Sequence, residues 1–235
     1  RLRASRLPNK PLLKINDKSL INHVYNVGQS TNIGEVYVAT GDKEIIDEVA
    51  QNNGKSILTK KKHLTGTDRI YEAFELLARN DIDYIINLQG DEPLIDPNDI
   101  INLNNIAIKN NSEIATLACK LEHKNIDNKN VVKVICNENI DQDSFSNAKT
   151  FQRHINVENV KNIYHHIGIY IYKVSALKKF ITLKQSENEI RLKLEQLRAL
   201  DNNIRIDVIF ANFVPIGVDT NEDYLEIKKL MEYKS

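Results

Sequence analysis

The sequence predicts an α/β domain, a mostly parallel β-sheet with helices packed on both faces. Three observations carry this. β-rich runs and helix-spaced runs alternate through the first half of the chain. One of them, residues 83–88 (DYIINL), is an apolar run of the kind found in strands buried on both faces. The chain has 235 residues, long enough for one large domain with a sizeable core.

The elements follow in order. Residues 35–40 (EVYVAT) form a short β-rich run that ends in Gly41-Asp42. Residues 43–51 have helical spacing, with Ile45, Ile46, Val49 and Ala50 on one stripe. A strand is expected at 56–58 and a helix at 68–79, the latter with Ile70, Ala73, Phe74 and Leu77 aligned. After the apolar run, Pro97 suits the first turn of a helix that continues through Ile100, Ile101 and Leu103.

The second half reads differently. Residues 114–121 and 131–136 are β-rich, and 137–161 is a polar stretch expected to be loop. Residues 164–172 (YHHIGIYIY) alternate His166, Gly168, Tyr170 and Tyr172 with Ile167, Ile169 and Ile171, as a strand does. One helix is expected over 187–199, a strand over 204–210, and a last helix over 220–231 with Thr220 as N-cap and Asp223 three residues on. We read one domain, with a partly antiparallel region inserted at about 140–200.

Composition narrows the function. Lys plus Arg and Asp plus Glu both number 32, so the formal net charge is zero, which argues against a nucleic-acid protein held by bulk charge. Hydrophobic residues at 41% and charged residues at 27% are the mix of a globular domain. The two cysteines, Cys119 and Cys136, have no paired spacing, so neither a disulfide framework nor a zinc cluster is expected and a cytoplasmic setting fits. No apolar run reaches the length of a membrane span, and no membrane association is expected.

Candidate chemistry lies in four places. Gln89-Gly90-Asp91-Glu92-Pro93 follows the apolar run, and ligands of open parallel sheets bind beyond the carboxyl ends of strands. A metal or phosphate site and a tight turn with an exposed acid are both consistent with it. Residues 214–220 (VPIGVDT) repeat the pattern, with Asp219 either a second acid or a helix cap. Two such acids make a shared divalent metal attractive, since Mg²⁺ takes one or two carboxylates plus substrate phosphates. Arg1, Arg6 and Lys10 either cradle a triphosphate or form a solvated basic loop. Thr65-Gly66-Thr67-Asp68-Arg69 either binds a nucleotide at a helix N-terminus or simply caps the helix.

The ordered set RLPNKPL (6–12), VYVATGD (36–42), LTGTDR (64–69), NLQGDEP (87–93), HHIGIY (165–170), LEQLRAL (194–200) and GVDTNEDY (217–224) resembles the 3-deoxy-manno-octulosonate (Kdo) cytidylyltransferase family, and covers essentially the whole chain. The resemblance implies a Rossmann-like nucleotidyltransferase fold, CTP and Kdo as substrates, Mg²⁺, and a homodimer built largely from the inserted region. It implies that Lys10, Asp91 and Asp219 are the catalytic set, with Asp91 and Asp219 as metal ligands. It places Arg1, Arg6 and Lys10 on the triphosphate, and Thr65, Thr67, Arg69 and Gln89 around the cytidine. His166, Glu195 and Gln196 fall on the sugar side. From the residues alone, His166 also reads as a core histidine and Gln196 as a solvated helix face.

The implied reaction activates Kdo for lipopolysaccharide biosynthesis. A cytidylyltransferase for a modified eight- or nine-carbon sugar acid and an inactive nucleotide-binding relative are the alternatives. Two departures from the family pattern stand out. Asn147 occupies the position of a family Arg, which points to weaker acceptor binding, with Lys149 or Arg153 as neighbours able to compensate. The chain also opens at an Arg that in the family follows the first strand, so no central strand is expected before Lys10.

Overall fold

The computed structural model describes residues 2, 7–60, 62–142, 144–155, 160–212 and 214–233. Where the sequence suggests one domain, the chain gathers into two compact units. The first comprises Arg1–Asn80, Leu88–Asn98 and Pro215–Ser235, and the second Asp81–Asn87 and Asp99–Val214. The second is thus far larger than the expected insertion at 140–200.

The first unit begins with β1 (Lys14–Ile15) and β2 (Lys18–Ser19), an antiparallel hairpin. Asn16 and Asp17 both have positive φ, 46° and 60°, which the two-residue turn of a right-twisted hairpin requires and which short polar side chains tolerate. Then come α1 (Leu20–Ser30), β3 (Val38–Thr40), α2 (Lys43–Gln51), β4 (Ser56–Leu58) and α3 (Gly66–Leu77), with β3 and β4 parallel. Tyr25, Val38, Ile45 and Val49 make one core cluster. Gly28 on α1 is small for a reason, since a Cβ there would lie 3.2–3.3 Å from the Val36 and Leu88 side chains.

The second unit contains β5 (Tyr84–Asn87), most of α4 (Pro97–Lys109), β6 (Ile114–Lys120), β7 (Lys133–Cys136), β8 (Phe145–Gln152), β9 (Ile163–Lys173), α5 (Val174–Thr182), α6 (Glu187–Leu192), α7 (Leu197–Asp201) and β10 (Ile206–Phe210). Its strands run in the order β5-β9-β6-β10-β8-β7, and β7 pairs back onto β9. Strands β9, β6, β10, β8 and β7 therefore form a closed circuit of pairings, which leaves fewer exposed edges. The chain returns to the first unit with α8 (Asn221–Glu232). There Leu7, Ile15, Leu20, Val218 and Ile227 form a second core cluster. No helix among the described residues is long and apolar enough to cross a membrane.

The α/β reading holds, with a mixed rather than mostly parallel sheet. The parallel pairs are β3–β4 and β6–β10, and the long strand β9 is antiparallel to β5, β6 and β7. The stretch 137–161, expected to be loop, contains β8. Its polar residues are recruited by pairing to β7 and β10, and Ser146, Ala148 and Phe151 turn inward. The single helix expected over 187–199 is two. Lys193 takes a left-handed φ of 54° and its N–H closes onto Glu189 O, ending α6. The run 214–218, read as strand-like, is not a strand among its described residues. The region before Lys10 lies largely outside the described residues.

Candidate active site

Lys10 opens a short 3₁₀ turn after Asn9, whose left-handed φ of 56° sharpens the bend. The turn sends the ammonium toward two loops far away in sequence. Lys10 Nζ donates to Asp91 Oδ2 at 2.6 Å and to Asp219 Oδ1 at 3.3 Å. The two loops are joined directly, since Val218 N–H donates to Asp91 O at 2.9 Å. Both carboxylates that the sequence offered as metal ligands thus converge on one cation.

Asp219 is not the cap of α8. Thr220 takes that role, its hydroxyl accepting from Asp223 N–H while the Asp223 carboxylate accepts from the N–H groups of Thr220 and Asp219. The Asp219 carboxylate remains for Lys10. Beside it, half-buried Glu92 has its Oε2 buried with no partner among the described residues. Burial first, then the negative charges of Asp91 and Asp219, push the Glu92 carboxyl up to about 8. Sequence reasoning passed over Glu92, although it is the second acid of QGDEP.

No group of three or more His, Cys, Asp or Glu among the described residues is arranged to hold a metal ion. Asp91 and Asp219 nevertheless fit Mg²⁺. They are hard oxygen donors already focused on a single positive charge, and substrate phosphates would complete the shell.

The other residues expected around the nucleotide divide. Thr65 and Asp68 form a capping box on α3, with Asp68 N–H to Thr65 Oγ1 at 3.2 Å and Thr65 N–H to Asp68 Oδ2 at 3.0 Å. Thr65 therefore serves the helix end, and this cap starts α3 two residues before the expected position. Thr65→Ala is expected to cost about 1 kcal/mol of stability, and Thr65→Ser little. Equal urea midpoints for the two variants would show the box to be inert. Arg69 donates to Thr59 Oγ1 at 2.5 Å and to Lys60 O at 3.0 Å, holding the end of β4 against α3. Thr67 is buried, and Gln89 O accepts from Glu92 N–H at 3.4 Å. Arg1 and Arg6 lie outside the described residues.

The residues expected on the sugar side belong to the second unit. His166 on β9 is buried, edge-on to Phe151 at 5.0 Å and tilted against Tyr170 at 5.5 Å. Its Nε2 lies 3.1 Å from Thr116 Oγ1. Burial first, then neighbouring His165, lower the His166 pKa to about 3, so the ring is neutral. Tyr170 is pushed well above the usual phenol range by burial and by the nearby Tyr172 and Glu195. This links Glu195 electrostatically to Tyr170, which packs against His166. Glu195 and Gln196 stand in the bend between α6 and α7. Asn147 is not a free polar group in place of an arginine. Its amide donates to Asp207 Oδ1 at 2.5 Å, and fully buried Asp207 also accepts from Ser112 Oγ at 2.5 Å. Arg153 is engaged with the carbonyls of Lys129, Leu192 and Lys193.

The family model described as "Cytidylyltransferase" matches residues 1–206. A 3-deoxy-manno-octulosonate cytidylyltransferase of Bartonella tribocorum is 39% identical over 98% of this chain and 95% of its own length. The enzyme of the same name from Afipia carboxidovorans is 41% identical, over 98% and 94%. The chain belongs to the 3-deoxy-manno-octulosonate cytidylyltransferase family. Among solved structures, a CMP:2-keto-3-deoxy-manno-octonic acid synthetase complexed with CTP superposes with a TM-score of 0.90 at 34% identity, covering 100% of this chain and 96% of that one. An apo UDP-glucose pyrophosphorylase, TM-score 0.72 at 14% identity over 96% and 91%, shares the nucleotidyltransferase fold alone. This cytidylyltransferase family thus accounts for the ordered motifs from the first loop to α8.

Proposed function

We propose that the enzyme transfers CMP from CTP to the anomeric hydroxyl of Kdo and releases pyrophosphate. The observation that carries this reading is the convergence of Lys10, Asp91 and Asp219. The hydroxyl oxygen attacks the α-phosphorus, an O–P bond forms, and the bond to pyrophosphate breaks. Such a displacement asks for positioning and charge cancellation rather than covalent catalysis. Lys10, with Arg1 and Arg6, neutralises the triphosphate, and Thr67, Arg69 and Gln89 orient the nucleotide. Asp91 and Asp219 would hold Mg²⁺, which when bound supplies positive charge to the phosphates and the attacking oxygen. His166, Glu195, Gln196 and Tyr170 bind the sugar acid through hydrogen bonds.

The product is an activated sugar acid of the kind consumed in lipopolysaccharide assembly. The test is pyrophosphate release from CTP, Mg²⁺ and a panel of sugar acids. Kdo is expected to be turned over with the highest kcat/KM, and chelation of the metal by EDTA to stop release. Preference for another acid overturns the acceptor assignment, and no release with any acid overturns the activity. The resemblance also carries a homodimer. Light scattering is expected to give twice the chain mass, and a monomer at micromolar concentration removes that reading.

A further inference from the structure

β6 and β9 do not pair in simple register. Thr116 faces Tyr170, yet the next residue, Leu117, faces Ile167, so β9 makes a bulge between them. The Thr116 side chain is fully buried at this irregularity. Its Oγ1 lies 2.7 Å from Ile169 O, 3.1 Å from Ile167 O and 3.1 Å from His166 Nε2.

A hydroxyl carries one proton and two acceptor lone pairs, whereas carbonyls only accept. The two carbonyls claim the Thr116 proton, with the shorter contact to Ile169, which leaves the two Thr116 lone pairs for His166 and for the Tyr170 hydroxyl that also bonds Thr116. What Thr116 turns toward His166 is then a lone pair, so Nε2 must carry the imidazole proton. In a neutral ring, the other nitrogen, Nδ1, is left as an acceptor. The ring plane is fixed by Phe151 and Tyr170, and burial keeps the ring uncharged.

We propose that Thr116 is a positioning residue that locks His166 as the Nε2–H tautomer, so that the ring meets the sugar acid as a neutral acceptor at Nδ1. The group it recognises is a sugar hydroxyl, which can donate, and not the carboxylate, which cannot. This rests on the sugar-side reading of His166, but the tautomer itself does not.

The test uses the full chain labelled with ¹⁵N-histidine and no substrate. Long-range ¹H–¹⁵N correlations report which nitrogen is protonated, and the His166 signals are those lost in His166→Asn. Wild type and Thr116→Ser are expected to show the Nε2–H pattern. Thr116→Val is expected to lose that bias and to raise the KM for Kdo about tenfold, the loss of roughly one hydrogen bond, with the KM for CTP unchanged. A proton on Nδ1 in the wild type overturns the lock, with no variant needed. An unchanged tautomer in Thr116→Val overturns the role of Thr116. A lost tautomer with unchanged KM for Kdo overturns the acceptor role of Nδ1. If the wild type does not turn over Kdo, the function reading fails while the spectra still decide the tautomer.

Discussion

Asp219→Asn is expected to lower turnover by on the order of a hundredfold or more, with a far smaller change in CTP affinity. The substitution keeps the shape of the side chain and removes one negative charge. That charge matters most when phosphate and attacking oxygen gain charge together, so the loss falls on the reacting state rather than on nucleotide binding. Asp91→Asn should behave alike, because both carboxylates meet the same Lys10 ammonium. The double variant should lose little beyond the worse single one, since the two carboxylates, as the proposed ligands of one ion, act as a unit. The cap of α8 belongs to Thr220 and Asp223, so Asp219→Asn should leave the unfolding midpoint near wild type. Near-normal pyrophosphate release by Asp219→Asn at saturating Mg²⁺ would sink the metal reading.

The largest stability loss is expected at Arg198→Met, about 3–5 kcal/mol by urea unfolding, as for breaking a buried ion pair from one side. Arg198 on α7 donates twice to Glu189 on α6, from Nε at 2.8 Å and from its terminal nitrogen at 2.5 Å. Both side chains are only 4% exposed, and the guanidinium lies 4.8 Å from the Phe180 ring. Removing the arginine strands a buried carboxylate. The double variant Glu189→Gln/Arg198→Met should lose clearly less than the two single losses added together. The Glu189 carboxyl lies below its ordinary pKa: burial raises it, but Arg198, Gln185 and Ser186 outweigh that. Its stabilisation is therefore present above the ordinary glutamate value and lost as pH falls through the lowered one. A loss below about 1 kcal/mol for Arg198→Met would mean that the pair is worth no more than a surface bridge.

Much of this was legible in the chain. The helix over 43–51, the strand at 56–58, the Pro97 helix start and the Thr220 cap are local signals, and each appears where its residues direct. β8 was not legible, because its polar residues gain strand structure only from β7 and β10. The break at Lys193 was hidden for a different, local reason. The apolar spacing runs on through it, and the left-handed turn falls on a lysine, with no glycine to mark it. Asp91 and Asp219 could be found by their matching glycine-acid settings, but Lys10 between them is a fact of three dimensions. Glu92 and Tyr170 stood inside recognised motifs, and only burial and neighbouring charge single them out.

The first unit is stitched from stretches that a ribosome delivers at very different times. Lys10 waits for Asp91, 81 residues later, and for Asp219, 209 residues later. The strand circuit of the second unit ends in sequence with β10 at Phe210, ahead of Asp219. The carboxylate pair around Lys10 is therefore the part of the first unit that depends on the whole span from residue 10 to residue 219.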